Sequence, residues 1–272
     1  MTPVSQDNLS HMANIPALHT TITGSGPGIL LAHGATGSIA DNYAALAPAL
    51  AAAGHTVVAP DYPGSGETPR ATGPLTLDGL ADALVAQAVA AGVETFTLVG
   101  FSLGTAVSVR AAARHPERVH GLVLTAGLAR PDRHADITLG LWAHLLEQGD
   151  HASFARSRTL TGWSRRHLNG LSQAEADALL APDPSLWPAG SAEQAALVRT
   201  VDTTADLPGI AVPTLVIATT EDELIHPSHS RGLADRIPGA EYAEVAAGHV
   251  VMHERYEEWA GLILDFLDRH GL

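Results

Sequence analysis

The chain has 272 residues, 46% hydrophobic and 16% charged, which suits one large domain or a core with a small insertion, burying roughly 75% of its unfolded surface, and excludes a disordered chain. A formal net charge of −14 argues against a phosphate-backbone binder, because nucleic-acid affinity rests on clustered cations. All 15 basic residues are Arg and there is no Cys, so lysine Schiff bases, thiol nucleophiles, disulfides and thiolate metal sites are excluded.

The first 18 residues lack a positive start followed by an apolar run and do not read as a signal peptide. Ser10-His11-Met12 reads as a junction or second start and carries no weight for the fold. No stretch approaches the ~18 uninterrupted apolar residues of a membrane helix, so a cytoplasmic protein with no membrane partner is expected. From about Leu18 onward short β-rich runs alternate with helical ones, the order that yields an α/β fold with a mainly parallel central sheet and helices on both faces.

The strands are expected at Gly28 to Ala32, Thr56 to Ala59, Thr95 to Val99, Gly121 to Thr125, Pro213 to Ala218 and Glu241 to Val245, several nearly all apolar, as in strands buried on both faces. The first runs into His33-Gly34-Ala35-Thr36-Gly37, a strand-end loop that can offer a backbone N–H, with Ala35 as candidate donor, or can be a simple turn. His33 itself reads as a structural hydrogen-bonding residue. Next, Leu77, Leu80, Ala81, Leu84, Val85 and Ala88 have amphipathic helical spacing, with Thr76 as N-cap and Gly92 near the end.

The strand at Thr95 to Val99 meets a helix at Leu103 to Arg114 through Gly100-Phe101-Ser102-Leu103-Gly104. This is G-x-S-x-G in the strand-turn-helix setting that presents a nucleophilic serine: the turn is sharp, the nucleophile's backbone is strained, and side chains at the flanking glycines would collide. Ser102 is the candidate nucleophile, and the Leu103 amide a second oxyanion donor.

Between about Arg130 and Asp206 no strand-like run appears, and Ser172 with Glu175 and Ser191 with Gln194 both have capping-box spacing. The expected organisation is a core of residues 13–129 and 207–272 with a helical cap, 130–206, inserted over one edge of the sheet. Beyond it, Glu221-Asp222-Glu223 leaves the strand at Pro213 to Ala218, and Asp222 is favoured over its neighbours as the carboxylate that orients an imidazole. That imidazole is His249, in the loop after the last strand, with His253 one turn on as competitor. The chain order Ser, Asp, His agrees with a nucleophile-elbow hydrolase. A final helix carries Trp259, Leu262, Ile263, Phe266 and Leu267 on one face.

Together these segments resemble the α/β-hydrolase superfamily, specifically its small capped serine esterases, lactonases and haloperoxidase-like proteins. The resemblance rests on His33-Gly34, Asp61-Tyr62-Pro63-Gly64-Ser65-Gly66, the Gly100 to Gly104 elbow, Asp222, and Gly248-His249 with Glu254, and spans essentially the whole chain outside the cap. Thr219 and Thr105 stand where the family often has Gly, changes expected to touch loop shape and helix packing rather than the reacting atoms. The serine at 102 separates the chain from haloalkane dehalogenases and epoxide hydrolases, which place Asp there.

The resemblance implies acyl transfer on an ester, lactone or thioester of a small, largely apolar molecule, through a Ser102, His249, Asp222 triad and an oxyanion hole of Ala35 and Leu103, with no metal or organic cofactor. Trp142 and Trp163 are candidate pocket-lining residues. Carbon–carbon bond hydrolysis, perhydrolysis, or a slow-turnover receptor remain alternatives on the same geometry, and the oligomeric state stays open.

Overall fold

A computed structural model describes residues 14–181 and 183–272. The Ser10-His11-Met12 segment and position 13, where the core was expected to begin, lie outside the described residues.

Seven strands form one sheet in the order β1-β3-β2-β4-β5-β6-β7: β1 (Thr20–Gly24), β2 (Gly28–Ala32), β3 (Thr56–Pro60), β4 (Phe96–Phe101), β5 (Val119–Thr125), β6 (Thr214–Thr219) and β7 (Glu241–Val245). All neighbours pair in parallel except β1, which runs antiparallel to β3. The six expected strands are present, two with the expected bounds and four with one or both ends shifted by one or two residues. β1 was not expected, and its sequence explains why: Thr-Thr-Ile-Thr-Gly is a largely exposed edge strand, with neither an apolar run nor a buried alternating face to mark it.

The central strands β2 and β4 are covered on both sides, as parallel strands must be when crossover helices lie over each face. One face packs against α3 (Leu77–Ala90) and α4 (Leu103–Arg114), the other against α1 (Ile39–Tyr43), α2 (Leu46–Ala52) and α12 (Tyr256–His270). The apolar stripe of α3 is buried from its first turn, where the Thr76 hydroxyl accepts from the Gly79 amide at 3.1 Å. On the opposite face Trp259 of α12 is fully buried, and its indole N–H donates to Thr125 Oγ1 at 3.0 Å.

Between β5 and β6 lie α5 (Arg133–Glu147), α6 (His151–Gly162), α7 (Arg165–Gly170), α8 (Gln173–Leu179) and α9 (Ser191–Val198), with α5 packed on α6 and α9. Ser172 and Glu175 form the expected reciprocal capping box. Ser191 and Gln194 do not: Gly190 is the N-cap of α9, and the side-chain amide of Gln194 is committed to partners outside its own helix. A short α10 (Ser228–Ala234) follows β6, and α11 (Val251–Glu254) follows β7. Among the described residues no helix is long and apolar enough to cross a membrane.

Candidate active site

β4 ends at Phe101 and α4 begins at Leu103, leaving Ser102 alone to turn the chain, with φ 53° and ψ −118°. A non-glycine residue in this region stores strain and persists only where its surroundings over-determine it. Here they do. The Ser102 amide donates to Thr125 O at 3.0 Å, the Thr105 amide donates to Ser102 O at 2.9 Å, and the Thr105 hydroxyl donates to the same oxygen at 2.7 Å. A Cβ on Gly104 would overlap the Ala32 carbonyl, so the first turn of α4 can seat against the end of β2 only with glycine there.

His249 reaches this serine from the far end of the chain. Its Nε2 lies 2.9 Å from Ser102 Oγ and its Nδ1 2.7 Å from Asp222 Oδ2, and all three residues are buried. Asp222 Oδ1 accepts from the amides of Leu224 (2.9 Å) and Ile225 (2.8 Å), and Oδ2 accepts also from Thr219 Oγ1 at 2.9 Å. With donors on both oxygens, Asp222 is the acceptor for His249. Nδ1 therefore carries the ring proton, and Nε2 turns a lone pair toward the serine hydroxyl. Thr219 was expected to affect loop shape alone; its hydroxyl instead bonds the oxygen that holds the imidazole.

The loop carrying His249 is tied to the helical insertion. A Cβ on Gly248 would overlap the backbone of Trp163 and Ser164. Glu254 accepts from the amides of Ser164 (2.7 Å) and Gly248 (3.3 Å) and from the Ser164 hydroxyl at 2.6 Å, and the Val250 amide donates to Gly162 O at 3.1 Å. The competing residues lie outside the Ser102, His249, Asp222 chain of bonds. His253 stacks on Trp163 with centroids 5.7 Å apart, Glu221 pairs with Arg166 at 2.8 Å, and Glu223 is exposed.

Across from the elbow, the loop after β2 is anchored at several points. The Gly34 amide donates to Asn42 Oδ1 at 2.8 Å, and the Thr36 amide donates to Gln194 Oε1 at 2.9 Å. Gln194 Nε2 donates to Ser65 Oγ at 2.8 Å and Pro63 O at 3.2 Å, while Ser65 Oγ donates to Gly37 O at 2.7 Å. Thr36 has φ 59°, an outlier for a β-branched residue, and Gln194 bonds the strained residue's own amide. Ala35 sits between the two bonded amides, and its N–H has no acceptor among the described residues. Gln194 was missed as a site residue because its S-x-x-Q spacing pointed to a local cap.

His33 is structural, as its position suggested. It is fully buried, stacks on Tyr62 with centroids 3.8 Å apart, accepts from the Tyr62 amide at 2.9 Å and donates from Nδ1 to Gly34 O at 2.8 Å. Burial pushes its pKa down to about 4, so the ring is neutral at neutral pH.

A narrow cleft runs between the carboxyl edge of the sheet and the insertion. The core contributes Ala35, Phe101, Ser102 and His249, and the insertion contributes Leu139, Trp142, Arg158 and Trp163. Trp142 is nearly fully buried, its indole N–H donating to Ser157 Oγ at 3.0 Å and its ring packed edge-on against Phe154. Both tryptophans therefore border the cleft, and Trp142 is also a packing residue.

A family model described as alpha/beta hydrolase fold matches residues 27–256. Pyrrolizixenacetamide deacetylase of Xenorhabdus hominickii is 36% identical over 249 residues, covering 90% of this chain and 92% of that protein. Among solved structures, a thermophilic esterase from Thermogutta terrifontis, malate bound, superposes with a TM-score of 0.81 at 25% identity over 93% of each chain. A hydrolase from Pseudomonas aeruginosa PA01 does so with a TM-score of 0.78 at 26% identity, over 93% of this chain and 97% of that one. The sheet order, the strained serine between β4 and α4 and these likenesses agree: the chain belongs to the alpha/beta hydrolase fold family and is a hydrolase of that fold.

Proposed function

We propose that the chain is a serine hydrolase in which Ser102 is the nucleophile, His249 the general base and acid, and Asp222 the carboxylate that fixes the imidazole. The observation that carries this reading is the unbroken line from Ser102 Oγ through the His249 ring to Asp222, with separations of 2.9 and 2.7 Å, at the wall of a cleft. His249 Nε2 takes the hydroxyl proton as Ser102 Oγ bonds the substrate carbonyl carbon. The oxygen that gains charge is received by the Ala35 and Leu103 amides, each such donor contributing about 100- to 1,000-fold in rate. His249 then passes its proton to the leaving group, and a water activated by the same ring releases the acid from Ser102.

The substrate in this reading is a carboxylic ester, lactone or thioester of a small molecule, apolar over most of its surface, as the lining side chains favour. Residues 130–206 act as its cap on a core of residues up to 129 and from 207 onward, with Trp142 and Trp163 against the bound molecule. The chemistry needs neither a metal nor an organic cofactor. A second reading, release of an acyl group from an amide, is favoured by the 36% identical relative named a deacetylase; there the proton from His249 must reach the departing nitrogen.

Turnover of a panel of p-nitrophenyl acyl esters and N-acetylated amides tests both readings. Ester or amide cleavage is expected, with a loss of at least about 10,000-fold in Ser102→Ala. Cleavage that survives this substitution contradicts the assignment, and binding without turnover by the unaltered chain points to a receptor.

A further inference from the structure

Arg158 lies on α6 and lines the cleft together with Ser102 and His249. Of the residues that line it, Arg158 alone carries a permanent charge, and no Asp or Glu is present. Among the described residues its guanidinium has neither a hydrogen bond nor an ion pair. Its close neighbour is the Trp187 ring, whose centroid is 5.1 Å from Cζ. That contact supports one face of the guanidinium and leaves its N–H edge without an acceptor.

Two other titratable groups act on it through space. Asp41 is exposed and accepts from the Ser38 hydroxyl at 2.8 Å; His253 stacks beside Trp163. Burial draws the guanidinium below its usual pKa, yet an arginine remains a cation throughout the working range. Arg158 is half-buried, and a partly buried cation with no hydrogen bond or ion pair is an unfavourable arrangement that an anion entering the cleft relieves.

We propose that the cleft is built for a substrate bearing a carboxylate, which Arg158 receives through its unpaired N–H edge while the scissile carbonyl lies at Ser102. This rests on the serine-hydrolase reading of the same cleft and narrows it: an apolar body fills the cleft, and one carboxylate sits on the insertion side. The planar fork of one guanidinium matches the two oxygens of one carboxylate. Binding of a second group at Arg158, apart from the reacting carbonyl, also orients that carbonyl for attack.

The test reads binding apart from turnover. In Ser102→Ala protein, mono-p-nitrophenyl glutarate and neutral p-nitrophenyl valerate compare a carboxylate with none on the acyl side. The acetate esters of 4-hydroxybenzoate and 4-methylphenol do the same on the leaving-group side. In at least one pair the carboxylate ester is expected to bind about 10- to 100-fold more tightly. Adding Arg158→Met is expected to remove that preference, and Arg158→Lys, which keeps the charge but not the fork, to retain part of it.

No preference in either pair, or a preference unchanged by Arg158→Met, overturns the proposal. Turnover of the same esters with Ser102 intact decides the underlying reading separately. Arg158-dependent binding without turnover keeps the carboxylate site and removes the hydrolase assignment. Turnover with no charge preference keeps the assignment and removes the site.

Discussion

The amides of Leu103 and Ala35 are the two proposed oxyanion donors, yet the chain fixes them by different means. Around Leu103 the geometry is local: β4, one strained serine and α4 follow one another within residues 96–114, and Gly104 admits the close approach to β2. Around Ala35 it is remote. The loop is held by Asn42, by Ser65 and by Gln194, the last 158 residues away from the Thr36 amide it accepts. A short-range motif can be carried whole by a few residues, whereas the second half of the proposed oxyanion site exists only once the insertion has docked on the core.

The sharpest way to break the local side is Gly104→Ala. The new methyl meets a backbone carbonyl that no rotamer change can move, so a stability loss of about 3 kcal/mol or more is expected, together with loss of hydrolase activity. A urea midpoint close to that of the unaltered chain contradicts this. On the remote side, Gln194→Met keeps volume and removes all three hydrogen bonds, leaving the buried Thr36 N–H unpaired at about 1–3 kcal/mol. Here kcat is expected to fall about 10- to 100-fold with a smaller change in KM. A rise in KM at constant kcat would show that Gln194 shapes binding and does not position the loop.

Acid probes the remote side without a mutation. His33, at the entry to the Ala35 loop, has a folded pKa of about 4 against an ordinary 6.5. Between these values the unfolded chain binds more protons, so its contribution is intact above pH 6.5 and is lost as pH falls toward 4. At pH 5 the expected loss from His33 is about 2 kcal/mol, to which His55 and His253, whose pKa values burial also lowers, add in the same direction. The loss is read from urea midpoints at pH 7 and 5; midpoints that do not move between those values contradict it. Thr219→Val is the smallest change. Asp222 keeps three of its four donors, and kcat/KM is expected to fall about 3- to 10-fold. An unaltered kcat/KM would return Thr219 to a loop-shaping role.

This division between local and remote also explains how far the sequence could be read. The elbow, the Thr76 cap and the Ser172 capping box are each written within a few residues, and the structure has all three. Ser191 and Gln194 show the limit: the same spacing as a capping box is present, but Oε1 and Nε2 are taken by residues 129 to 158 positions away, which no local pattern encodes. β1 escaped notice because its polar residues bury no face. The unpaired state of Arg158 was equally invisible, since composition counts charges and not their partners. Asp222 and His249 could be picked out because each follows a recognisable strand, and the fold brings successive strand ends to one edge.

The most direct measurement is labelling of the intact chain with a fluorophosphonate, followed by mass analysis of its peptides. The account predicts one adduct, on Ser102, that fails to form in His249→Ala. An adduct on a different serine, or ester turnover that continues with residue 102 unlabelled, would contradict it.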